Sequence, residues 1–104
     1  MKRGPKHLSK DAREFYRQVL DEYDLDVHHE KILIKACEAY DRAEQARKIL
    51  DEKGLTMLDR FDQEKTRPEV AIERDSRIAF ARLIRELGLD LEPPEEPGRP
   101  PRQY

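Results

Sequence analysis

Two helix-length patterns joined by a short strand-like excursion constrain this chain more than any single residue. The longer pattern closes at Lys53-Gly54-Leu55, a brief polar segment follows, and Arg67-Pro68 opens a second pattern that closes at Leu87-Gly88-Leu89. Glycine just past a helix takes the left-handed conformation that ends it, and proline fits a first turn, where its missing N–H is not needed. Such an arrangement predicts a compact assembly module with no room for a catalytic pocket.

Reading outward from that module gives a mainly α fold. Ser9 is a good N-cap for a first helix over residues 10–23, and Asp11 suits its dipole. Ala12, Phe15, Tyr16, Val19 and Tyr23 form its apolar stripe at helical steps. Asp24-Leu25-Asp26 reads as a connector, with Asp26 capping a second helix over residues 27–53, about 40 Å long at about 1.5 Å per residue. Its apolar positions are Leu33, Ala36, Cys37, Tyr40, Ala43 and Leu50, flanked by Ile32, Ala39, Ala46 and Ile49. Residues 55–67 are expected to form a short β-hairpin: Leu55-Thr56-Met57-Leu58 is β-favourable, residues 59–63 are turn-like, and 64–67 return. The third helix is expected over residues 69–87, with Val70, Ile72, Ala79, Phe80, Leu83, Ile84 and Leu87 on its buried side. Its charged middle, Glu73-Arg74-Asp75-Ser76-Arg77, is expected to face solvent, another subunit or DNA.

The flanks differ from this middle. Residues 1–8 read as a basic, mobile arm, residues 9–89 as one helical domain, and residues 90–104, with five prolines, as an extended or disordered tail. Five cations face one acid over residues 1–13, a net of +4. Residues 14–30 carry six acids against Arg17, a net of −5. An electropositive arm beside an acidic segment can bind a phosphate backbone or another copy's acidic face.

Hydrophobic residues make up 37% of the 104 and charged residues 42%, and many apolar positions are alanine. A chain this size buries about 60–65% of its surface on folding. With so little apolar bulk, part of the core is expected to come from further copies of the chain. An isolated hairpin is marginal in water, so the predicted one is expected to pack on the helices or on a neighbouring subunit. Cys37, the only cysteine, excludes an intrachain disulfide; it reads as a small buried hydrophobe and fits a reducing compartment. No apolar run is long enough to span a membrane, and no signal peptide is recognisable.

Signatures of chemistry are missing. There is no P-loop, glycine-rich phosphate loop, nucleophile elbow or Cys/His cluster, so neither catalytic residues nor a cofactor are expected. His28 and His29 are adjacent and on a helix diverge by about 100°, with no third ligand at a suitable step, so no metal site is expected. Asp59, Asp62 and Glu64 match turn composition better than a nuclease centre. The candidate DNA-contacting residues are Lys2, Arg3, Lys6, Lys10 and Arg13 in and after the arm, and Arg74 and Arg77 on the third helix, with Arg82 and Arg85 further along it. No convincing helix-turn-helix is present: the gap between the first two helices is acidic and the second helix is too long for a typical recognition helix.

This order of elements resembles the small terminase subunit of tailed bacteriophages. The resemblance rests on Cys37-x-x-Tyr40, Lys53-Gly54-Leu55, the Pro68 helix start, Leu83 and Leu87, and Leu87-Gly88-Leu89 followed by Pro93. It covers roughly residues 8–93. Related sequences often carry Asn-Gly in the hairpin turn and His before the proline; here the turn reads Arg60-Phe61-Asp62-Gln63, and Arg67 precedes Pro68. The resemblance implies a non-enzymatic subunit without cofactor that assembles into a ring in the host cytoplasm. Its expected partners are viral double-stranded DNA and the large ATPase–nuclease subunit, which it recruits and regulates, with the proline-rich tail as a docking peptide. Two other readings suit the same residues: a dimeric helical transcriptional regulator or antitoxin, and a structural adaptor that touches no DNA.

Overall fold

The computed structural model describes residues 4–89. Its elements run α1 (Lys10–Glu22), α2 (Val27–Lys53), β1 (Thr56–Leu58), β2 (Glu64–Thr66) and α3 (Pro68–Glu86). The mainly helical fold with a two-stranded hairpin is therefore the expected one. Pro68 occupies the first turn of α3, one residue earlier than predicted. The proline-rich segment 90–104 lies outside the described residues.

Ser9 caps α1 as predicted. Its hydroxyl accepts from the Ala12 N–H at 3.1 Å and donates to Asp41 on α2, whose other carboxylate oxygen accepts the Ser9 N–H at 2.7 Å. One serine thus ends α1 and clips it to α2. Further along, the Tyr16 hydroxyl donates to Glu30 at 2.6 Å. Burial, then the neighbouring Glu30 carboxylate, raises the pKa of that phenol. Asp26 is the N-cap residue of α2 as expected, but its side chain makes no capping hydrogen bond.

The core gathers Leu8, Ala12, Tyr16, Val19, Leu33, Cys37, Leu87 and Leu89. Helix α3 runs back along α2, so Phe80 meets Tyr40 at 5.6 Å between ring centroids. Phe15 of α1 meets the same Phe80 ring at 5.9 Å. Cys37 is fully buried, as expected, and its thiol points at the Ala12 carbonyl, 3.6 Å away. Burial, reinforced by Asp41 and Glu38, pushes that thiol up to about 12.

Two expectations need correction. The first is the boundary of the basic arm: Leu8 is only 3% exposed and belongs to the core. A turn bonding the Leu8 N–H to the Pro5 carbonyl brings it there. Gly4, at φ 78°, lies against Tyr16 and the Arg13 stem, where a Cβ would come within 3.1 Å of the tyrosine ring. The second is Ile72, placed on the buried side of α3 but 40% exposed. Helix α1 meets α3 around Phe80 and Ile84, where Phe15, Val19 and Tyr23 share an apolar groove with them and Leu89. Ile72 lies about two turns before Phe80 and is not among the residues that line that groove.

The hairpin forms without Asn-Gly. Thr56 pairs with Thr66, Met57 with Lys65 and Leu58 with Glu64. The Asp62 N–H bonds the Asp59 carbonyl at 3.0 Å, closing a β-turn, and Asp62 itself sits at φ 60°. Aspartate tolerates this left-handed conformation better than most side chains. The Asp59 carboxylate accepts from the N–H groups of Phe61 and Gln63 at 2.8 and 3.0 Å, so the loop's own side chain satisfies its backbone.

Candidate nucleic-acid interface

With a turn every 3.6 residues, Arg74, Arg77, Arg82 and Arg85 fall within an arc of about 140° on α3. All four are exposed, and Ile78 and Ala81, also exposed, lie between them on the same arc. Neither α1 nor α2 claims this side of the helix. The result is one basic stripe with a short apolar centre, on a rigid element anchored through Phe80. Two of its cations are already engaged: Arg74 Nε donates to Asp75 at 3.2 Å, and Arg77 Nε to Glu73, one turn earlier, at 3.0 Å. Both arginines are exposed, although Glu73 is half-buried, and ion pairs at exposed positions contribute about 0–1 kcal/mol. Arg82 and Arg85 make no ion pair among the described residues.

The other candidates lie around the start of α1. Lys6 and Lys10 are exposed, and Arg13 is half-buried, its stem covered by Gly4. None of the three makes an ion pair among the described residues. Lys2 and Arg3 lie outside those residues. Between this group and α2, His7 Nε2 stands 2.7 Å from Glu38 Oε2. That hydrogen bond, with help from Lys35, holds the Glu38 carboxyl below the usual carboxylate range, against its partial desolvation. The described residues therefore offer two basic groups on two elements.

One geometric expectation fails here. The rings of His28 and His29 do not diverge: their centroids are 4.1 Å apart and their planes meet at 42°. Both residues lie in the first turn of α2, where no preceding helical turn restricts the side chains, so their rotamers can converge. Asp26 provides a third ligand atom, and one such atom from each residue lies within 4.8 Å of the others. Helical spacing alone could not reveal this, although a carboxylate two residues before a His-His pair was a visible signal.

The family model described as phage terminase, small subunit, matches residues 12–93. The chain belongs to that family. No curated protein and no solved structure matches it. The stretch shared with the terminase small subunits holds nearly all of α1, then α2, the hairpin and α3. It includes Arg13, Arg74, Arg77, Arg82 and Arg85, and leaves out Lys2, Arg3, Lys6 and Lys10. Among the described residues of this terminase subunit, no helix is long and apolar enough to cross a membrane.

Proposed function

We propose that this member of the terminase small-subunit family works without catalysis of its own, as a ring of identical copies in the host cytoplasm. The ring grips viral duplex DNA and presents it to the large ATPase–nuclease subunit, whose activities it regulates. The family match across all three helices carries the reading. For assembly, support comes from large apolar side chains left in water at one end: Leu55, Leu58 and Phe61 are 64%, 61% and 70% exposed. Burying such groups against a second copy is worth roughly 25 cal/mol per Å² of apolar surface. For DNA, support comes from the α3 arginine stripe, repeated once per copy. Several weak phosphate contacts on one closed assembly give avidity that a single copy lacks.

Two measurements test this. Native mass spectrometry of the full chain should find a closed assembly larger than a dimer; a dimer would point to an operator-binding regulator instead, and a stable solitary chain would exclude the ring. Duplex binding followed across a salt series should weaken steeply, by a slope of roughly 0.9 per phosphate contact in a log–log plot. Replacing Arg74, Arg77, Arg82 and Arg85 by glutamine should flatten that slope. Replacing Lys2, Arg3 and Lys6 tests the arm separately. Negligible binding by the parent chain would leave only the adaptor role.

A further inference from the structure

Asp26, His28 and His29 serve neither the core nor the arginine stripe, yet they converge. We propose that these three side chains form a binding site for a divalent transition-metal ion of the Zn²⁺ and Ni²⁺ type. Four observations carry it. One ligand atom from each residue lies within 4.8 Å of the other two. The imidazole rings sit side by side, 4.1 Å apart, a separation that brings two like donors together with nothing between them. Asp26 stands at the N-cap of α2 but spends its carboxylate on no capping bond. Apart from their mutual ring contact, the three side chains make no hydrogen bond or ion pair among the described residues, so nothing competes for their lone pairs.

Two imidazoles and one carboxylate are intermediate donors. They suit Zn²⁺, Ni²⁺ or Cu²⁺, whereas Mg²⁺ and Ca²⁺ require oxygen-rich shells. Metal–nitrogen bonds of about 2.0 Å place tetrahedral ligands roughly 3.3 Å apart, so the observed cluster needs only small side-chain rotations to close. Asp26 and His28 are exposed and His29 is half-buried, which leaves room for that motion and an open entry path. Water fills the remaining coordination positions. The partial positive charge at the start of α2 opposes a cation, while the charge of Asp26 and its neighbour Asp24 offsets it. The site is accordingly labile. A bound ion would link the N-cap residue of α2 to its first turn.

The test uses the untagged full chain and needs no DNA, so its outcome is separate from the packaging reading. Calorimetric titration with Zn²⁺, repeated with Ni²⁺, should give one ion per chain. Asp26→Asn, His28→Ala and His29→Ala should each weaken binding by at least about tenfold, the size of effect seen even when ligands are merely disoriented. His7→Ala, which removes the other histidine, should leave binding unchanged. Ni²⁺ should broaden the imidazole proton signals of His28 and His29 before any others. Circular dichroism of each variant checks that α2 is retained. Absence of uptake, uptake that survives loss of any one of the three residues, or broadening centred on His7 would overturn the site.

Discussion

The two ends of α2 are built differently. Its first half lies in a packed core: Leu33, Ala36 and Cys37 are fully buried, and α1, Leu8, Leu87 and Leu89 close around them. The polar links between elements, Ser9–Asp41, His7–Glu38 and Tyr16–Glu30, all reach α2 between Glu30 and Asp41. Past Ala46 the situation reverses. No residue between Ala46 and Leu87 is buried, and the hairpin exposes both faces of its strands apart from Met57. The large apolar side chains Leu55, Leu58 and Phe61 are left exposed at this end. The core end is closed by the chain's own elements, and the hairpin end is the surface on which the proposed assembly would draw.

Substitutions at the two ends should therefore have opposite consequences. Leu33→Ala removes a fully buried side chain with neighbours on three sides, and should cost about 2–5 kcal/mol by urea unfolding. A loss below about 1 kcal/mol would mean that the core end is as loose as the other. Ser9→Ala deletes the α1 cap and the hydroxyl contact to Asp41, and should cost about 1 kcal/mol, seen as lower protection of the first α1 amides in hydrogen exchange.

Glu38→Gln gives a smaller effect with a pH signature. The Glu38 carboxyl titrates below its usual range because His7 hydrogen-bonds it. Its contribution is therefore present above the unfolded carboxyl value of about 4.3 and disappears as pH falls through the lower folded value. Parent and variant should differ by no more than about 1 kcal/mol at neutral pH and converge in acid; a gap that widened in acid would contradict the assignment. The smallest folding effect belongs to Phe61→Ser at the hairpin tip, within about 0.5 kcal/mol for the dilute chain. The same change should lower the assembled mass, which is where the contrast between the ends becomes sharpest.

Most of the backbone was legible in the residues. Gly54, Pro68 and Gly88 marked the helix ends, Ser9 marked the α1 start, and alanine-rich spacing marked α2. The hairpin was legible too, from β-favourable residues 55–58 and the turn-like 59–63, while the Asp59 side-chain bonds and the left-handed Asp62 that stand in for Asn-Gly came with the structure. Three features were not legible, each for a different reason. Leu8 is a lone apolar residue after a charged, proline-containing stretch, so no periodicity announces its burial. Ile72 lies on the correct face of α3, but angular position does not say how far a third element extends. His28 and His29 converge through rotamers, which a residue-per-turn argument does not contain. Of the candidate interface, the α3 arginines were readable from their spacing, while the Asp75 and Glu73 pairs on two of them came only with the structure.

Helix α2 has one further consequence. It is 27 residues of unbroken helix, about 40 Å from its core end to the hairpin. A rod of that length is a lever: a tilt of 10° at the packed end sweeps the far tip through about 7 Å. Small changes of pitch at the core end therefore become displacements of several ångströms, about 7 Å for that tilt, at the hairpin, with no break in the helix to absorb them.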